Sequence, residues 1–130
     1  MTSRLDEIVV RTQADLERMW RLAMGPGGFA RRSLWIVLLD EDGRPQPVIM
    51  PVDGVPSRPG EMAAHLPDLT AGFRVHGEPV LLLSRPGPGD IGDSDRAWAR
   101  VLAPLTTWPV HLATRSGVRA FAPDDLTPTR

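Results

Sequence analysis

The apolar positions of the chain change their spacing several times, and each change marks an element. In "TQADLERMWRLAM", Leu16, Met19, Trp20 and Ala23 recur at helical intervals behind Thr12, an N-cap candidate, with Asp15 placed to close a capping box. This predicts an amphipathic helix that stops at Gly25-Pro26-Gly27-Gly28. "SLWIVLLD", Ser33 to Asp40, is a continuous apolar run of strand length, and Asp42-Gly43 predicts a turn into a return strand "PQPVIMPVD". Pro45, Pro47 and Pro51 cannot donate ladder hydrogen bonds, so that strand is expected at an edge or around a bulge.

"EMAAHLPDLTAGF" is the next helical segment, with Met62, His65, Leu66 and Leu69 on one side and Pro67 making it short or kinked. "PVLLLS" is apolar on both faces, as at the centre of a sheet covered by helices. Beyond "RPGPGDIG", Asp93 or Ser94 can cap a helix striped with Trp98, Val101, Leu102 and Leu105. "WPVHLAT" and "VRAFAP", joined across "RSG", form a closing hairpin, and "DDLTPTR" is a surface or frayed tail. The order implies an α/β (α+β) single domain over residues 1–130, a central mixed β-sheet of about five strands flanked by about three helices.

Composition changes this picture little. With 42% hydrophobic and 24% charged residues the chain has the make-up of a globular domain, and a net charge of -1 offers no electrostatic reason to expect nucleic acid or an anionic membrane. Cysteine is absent, which excludes disulfides, thiolate zinc sites and a cysteine nucleophile. No apolar run approaches the length of a membrane span, so the expectation is a cytoplasmic protein. Lysine, asparagine and tyrosine are missing, which points to coding bias in a genome rich in G and C.

The chemistry-bearing residues concentrate in "SRPGPGDIGDSDRA", Ser84 to Ala97. Ser84 ends a buried strand, where nucleophiles often sit, and His111 with Asp90 or Asp93 could complete a triad, yet the elbow pattern G-x-S-x-G is absent. Asp90, Asp93 and Asp95 lack calcium-loop spacing, and capping a helix N-terminus explains Asp93 and Asp95. Arg85 and Arg96 can pair with these carboxylates as exposed ion pairs of little worth. His65, His76 and His111 have no paired spacing; each reads singly, as a helix-core border, a turn and a strand position. Trp20, Trp35 and Trp98 read as core, whereas Trp108, beside Pro109, is a candidate interface residue.

With those residues in view, the chain from about Ser33 to Leu126 resembles the JAB/MPN (JAMM) metallopeptidase-like fold, especially its RadC-like branch. "IVLLDEDGRPQPVIMPVDG" looks like that family's hairpin, and "SRPGPGDIGDSDRA" keeps the spacing of His-x-His-Pro-x-Gly followed by Ser-x-x-Asp. The resemblance implies residues 1–30 as an N-terminal helix and glycine-rich loop, 31–126 as the core, and 127–130 as a tail. It also implies that Ser84 and Pro86 stand in place of two histidine ligands, Ala97 in place of the aspartate, and Ile49 or Met50 in place of the general-base glutamate. Of the catalytic set only Ser94 agrees.

Serine is a poor substitute for imidazole, and proline and alanine cannot ligate, so no catalytic residue, metal or cofactor is expected. The expectation is a non-catalytic domain acting through protein contacts, with a protein partner or a second copy, and without nucleic acid or membrane. One alternative is a small-molecule or peptide binding module using the vacated cleft, with Ser84, Arg85, Asp90, Ser94 and Asp95 as its polar lining. Another is a metal-free hydrolase built on Ser84.

Overall fold

A computed structural model describes residues 7–25 and 29–126, with the side chains of all of these except 47–49. Pro26–Gly28 of the glycine-rich stop and the 127–130 tail lie outside the described residues. The elements are α1 (Gln13–Met24), β1 (Ser33–Leu39), β2 (Pro45–Asp53), α2 (Met62–Arg74), β3 (Glu78–Ser84), α3 (Asp93–Leu102), a 3-10 turn (Ala103–Leu105), β4 (His111–Thr114), β5 (Gly117–Ala120) and α4 (Pro123–Leu126). The five strands form one mixed sheet in the order β2-β1-β3-β4-β5. Only β3 and β4 run parallel, because α3 carries the chain across the sheet between them.

Local chemistry sets each boundary. Thr12 Oγ1 accepts the Asp15 amide at 3.2 Å while Asp15 Oδ2 accepts the Thr12 amide at 3.1 Å, the reciprocal box expected at the start of α1. Gly25, at φ 67, closes the same helix with its amide on the Arg21 carbonyl. At the β1–β2 turn, Asp40 Oδ1 accepts the Asp42 and Arg44 amides, both at 2.9 Å. Gly43 follows at φ 83, and a Cβ there would stand 2.6 Å from the Val10 carbonyl oxygen. That oxygen belongs to the segment that leads into α1, so the glycine lets the two backbones meet.

β3 is the central strand, with β1 antiparallel on one side and β4 parallel on the other. Its side chains alternate between two packed layers. Leu81 and Leu83 join Leu34, Ile36, Leu38, Trp98 and Leu102 beneath α2 and α3. Val80 and Leu82 join Val37, Leu39, Leu16, Met19 and Trp20 beneath α1. Burial on both faces is why these strands read as unbroken apolar runs.

β2 is an edge strand, and its register against β1 shifts between Val37 and Leu39. Pro51 stands opposite Trp35 and has no N–H to give, so its backbone faces the free edge, as do those of Ile49 and Asp53 in the same alternation. The edge thus lacks a donor at its centre, which blunts it against addition of another strand.

Several expectations are corrected. α2 runs for 13 residues through Pro67, and the Thr70 hydroxyl donates to the Leu66 and Pro67 carbonyls at 3.0 and 3.1 Å. Its inward face carries Leu66 and Thr70 with Met62 and Phe73 partly covered, whereas His65 is exposed and Leu69 is 41% exposed. The N-cap of α3 is Gly92, one residue before the expected caps, and the Asp95 carboxylate reaches back to its amide at 3.0 Å. The segment expected to fray begins with the helical turn α4, where Asp125 Oδ2 accepts the Ala122 amide at 2.7 Å and Leu126 packs on the core.

Candidate functional site

The loop from Ser84 to Gly92 leaves the end of the central strand and enters α3, where an α/β sheet places ligands and catalytic groups. Its geometry is organised by one side chain. Arg85 Nε donates to Asp95 Oδ1 and Arg85 Nη2 to Asp95 Oδ2, both at 2.7 Å, a two-point charge-assisted pair. Nη1 donates to the Pro86 and Pro88 carbonyls at 3.1 and 2.8 Å, and Nη2 also reaches the Asp90 carbonyl at 2.8 Å. A guanidinium has five N–H donors, and the loop and Asp95 together accept from each of its nitrogens. Hydrogen bonding to the Asp95 carboxylate raises the Arg85 pKa above its already high ordinary value.

The side chains of this pair are 11% and 3% exposed, so the expectation of a weak surface ion pair is corrected here. Taken out of water, the charges depend on each other, and removing either one leaves the other uncompensated. Arg96 and Asp93 do match the surface expectation, 3.5 Å apart with the Asp93 side chain 83% exposed.

On the α2–α3 side the segment after β2 is tied over α3. Trp98 Nε1 donates to the Pro56 carbonyl at 2.9 Å, and the Ser94 hydroxyl donates to the Ser57 carbonyl. Trp98 is fully buried, and Ile91 of the loop packs against the same cluster.

Ser84 lies elsewhere. It shares the strand alternation of Val80 and Leu82, and its hydroxyl accepts the Trp35 indole N–H at 2.8 Å. Only 1% exposed, it therefore faces the α1 layer while Ser94 reaches into the α2–α3 side. The neighbouring row continues with Ser33, opposite Ser84, whose hydroxyl donates to Asp53 Oδ1 at 2.8 Å. His111 is on the same face as Ser84, but its Nδ1 lies 3.1 Å from the Pro109 carbonyl and its buried Nε2 has no protein partner. Among the described residues no base is hydrogen-bonded to Ser84. Trp35 is half-buried rather than part of the sealed core, because its indole extends to the strand end to meet this serine.

Of the expected cleft residues, the structure joins Arg85 to Asp95 and sends Ser84 and Ser94 to different layers. Asp90 is exposed, and only its carbonyl is held by Arg85. The four positions that would mark a metal centre, Ser84, Pro86, Ser94 and Ala97, do not assemble a donor set for zinc: one hydroxyl is bound to Trp35, the other to Ser57, and the remaining two side chains carry no donor. Among the described residues no three histidine, aspartate or glutamate side chains gather to hold a metal ion. No helix among them is long and apolar enough to cross a membrane.

Trp108 sits half-buried between two surface depressions. One is a groove of about 350 Å³ lined by Ala103, Pro109, Val110, Phe121 and Leu126 as well as Trp108. The other, of about 770 Å³, is bordered by the charged Asp40–Arg44 turn. Compared with models of known protein families and with curated proteins, the chain matches none.

Ser84→Ala tests the nucleophile reading. It removes one partner of a buried hydrogen bond, and a loss of about 1 kcal/mol of stability is expected in urea unfolding. Loss of an ester- or peptide-hydrolysing activity in that variant, with the fold intact, would establish Ser84 as catalytic.

Proposed function

We propose that this is a non-catalytic domain that acts through contacts with a protein partner or a second copy of itself. The observation that carries the proposal is the inward engagement of the loop: the polar atoms of Ser84, Arg85, Ser94 and Asp95 are taken up by the protein's own groups. With these groups committed inward the loop supports a shape, and Asp90 is left as its exposed carboxylate. A relation to the JAB/MPN fold belongs to the same proposal. The spacing of "SRPGPGDIGDSDRA" and the succession of hairpin, helix, strand, loop and helix support it, while the divergence of Ser84 from Ser94 counts against any retained ligand geometry.

Trp108 and the apolar groove beside it are the proposed contact surface, since a half-buried indole gives a large area at little further entropic cost. A cytoplasmic setting is part of the proposal. The deciding measurement is metal content together with hydrolysis of peptide and isopeptide substrates. The expected result is sub-stoichiometric zinc and no metal-dependent cleavage; one zinc per chain with cleavage abolished by chelation overturns the proposal. Mass in solution, measured for the native chain and for Trp108→Ala, reads self-association through that face.

A further inference from the structure

α1 covers one face of the sheet, and two polar groups beneath it have no protein partner. His111 is fully buried on β4, opposite Leu82 and Ala120, with side-chain parity that places it on the α1 side together with Ala113. Its Nδ1 faces the Pro109 carbonyl at 3.1 Å. A carbonyl can only accept, so Nδ1 carries the proton and Nε2 presents a lone pair. Nε2 is buried without a partner, and so is the indole N–H of Trp20, fully buried on α1. One unmatched acceptor and one unmatched donor thus occupy the same layer between helix and sheet.

The charged groups that act on His111 from α1 are Glu17 and Arg21, of opposite sign, on the helical face that also carries Trp20. From β3, the residues on this face are Val80, Leu82 and Ser84; from β5 they are Val118 and Ala120; from β1 they include Trp35 and Val37. None of these ionises. An imidazolium here would gain a second N–H for which the described residues supply no acceptor, in a layer where the Glu17 carboxylate is opposed by Arg21.

We propose that His111 is a proton-operated latch for α1: while neutral it allows the helix to lie on the sheet, and uptake of one proton at Nε2 releases the helix as a unit. Release uncovers Leu16, Met19 and Trp20 together with Val37, Leu39, Val80 and Leu82, an apolar face that is sealed at neutral pH. The proton comes from solvent, and no other group changes state. Burial, the leading cause, pushes the His111 pKa below its ordinary 6.5. In the released state the ring is solvated and titrates near that ordinary value. Below pH 6.5 the released state therefore binds a proton that the closed state refuses, and closure weakens as the pH falls.

Hydrogen exchange on the whole chain between pH 7 and pH 5 tests this. After correction for intrinsic exchange, the opening constant of the α1 amides is expected to rise about tenfold per pH unit below the ordinary histidine value. These openings should also depend less on denaturant than those of the Val80–Leu83 amides, since only part of the molecule is exposed. In His111→Phe the pH dependence should vanish, and His111→Gln serves the same purpose if phenylalanine does not fit. NMR titration of the imidazole in the unaltered chain gives an independent reading: proton uptake should coincide with loss of α1 protection. The proposal is overturned if α1 and β3 open together at every pH, if the dependence survives in a His111 variant, or if the ring titrates while α1 stays protected.

Discussion

Asp95→Ala should lower the unfolding free energy by about 3–5 kcal/mol, the cost of leaving a buried charge without its partner. Three hydrogen bonds end on that carboxylate, two from Arg85 and one from the Gly92 amide, so the loop loses its anchor and α3 its first-turn cap together. Urea unfolding of the full chain measures the change. The paired replacement Arg85→Met with Asp95→Leu is expected to regain a large part of the loss, because removing both charges also removes the desolvation they impose. The carbonyls of Pro86, Pro88 and Asp90 lose their donor in that double variant but border solvent, where water replaces it. An effect of Asp95→Ala below about 1 kcal/mol would show that the pair is no better than a surface contact.

Trp98→Ala is the second large effect, again about 3–5 kcal/mol, from the cavity left by a fully buried indole among Leu83, Leu102 and Leu112. Trp98→Phe separates two contributions. It keeps most of the packing and loses the bond to the Pro56 carbonyl, so a smaller loss of about 1–2 kcal/mol is expected. In the phenylalanine variant the amides of the segment between β2 and α2, Val55 and Ser57 among them, should exchange hydrogen with solvent faster than in the native chain. Unchanged exchange there would mean that the Ser94–Ser57 bond and the packing of Val55 suffice to hold the segment.

These two side chains bear most directly on the proposed function, because they tie the loop and the segment after β2 to α3. In an open cleft, Arg85 would reach for a ligand's oxygens; here it takes those of its own loop and of Asp95. Trp98 and Ile91 belong to the core beneath α3. Both Asp95→Ala and Trp98→Phe are expected to loosen the loop and the segment after β2.

The sequence reading was accurate where neighbours within a few residues decide the structure. Thr12 with Asp15, Gly25, the Asp40–Gly43 turn and the apolar runs of β1 and β3 all act through their own stretch of chain. The proline spacing of β2 likewise revealed an edge strand, since a missing N–H excludes a central position whatever the fold. The reading of α2 was less accurate. Helical periodicity places Leu66 and Leu69 almost equally well, and the stripe that became buried, Met62, Leu66, Thr70 and Phe73, includes a threonine that hydropathy alone would place outside.

By itself, then, the sequence determined a mixed α/β chain with a central apolar strand, a blunted edge and a glycine-proline loop leading into a helix. The stretch from Ser84 to Ala97 contains no histidine and no cysteine. Only the tertiary structure decided what the remaining polar residues do. Arg85 meets Asp95 because the loop turns back on itself, and Trp98 meets Pro56 across 42 residues because α3 packs beside the end of β2. Ser84 faces Trp35 and not Ser94 because of a register between β1 and β3 in which a slip of one residue would have reversed its side. Short-range pattern carries the direction and length of each element. Which polar groups become partners depends on how those elements are stacked, and that follows from the burial of both faces of the sheet.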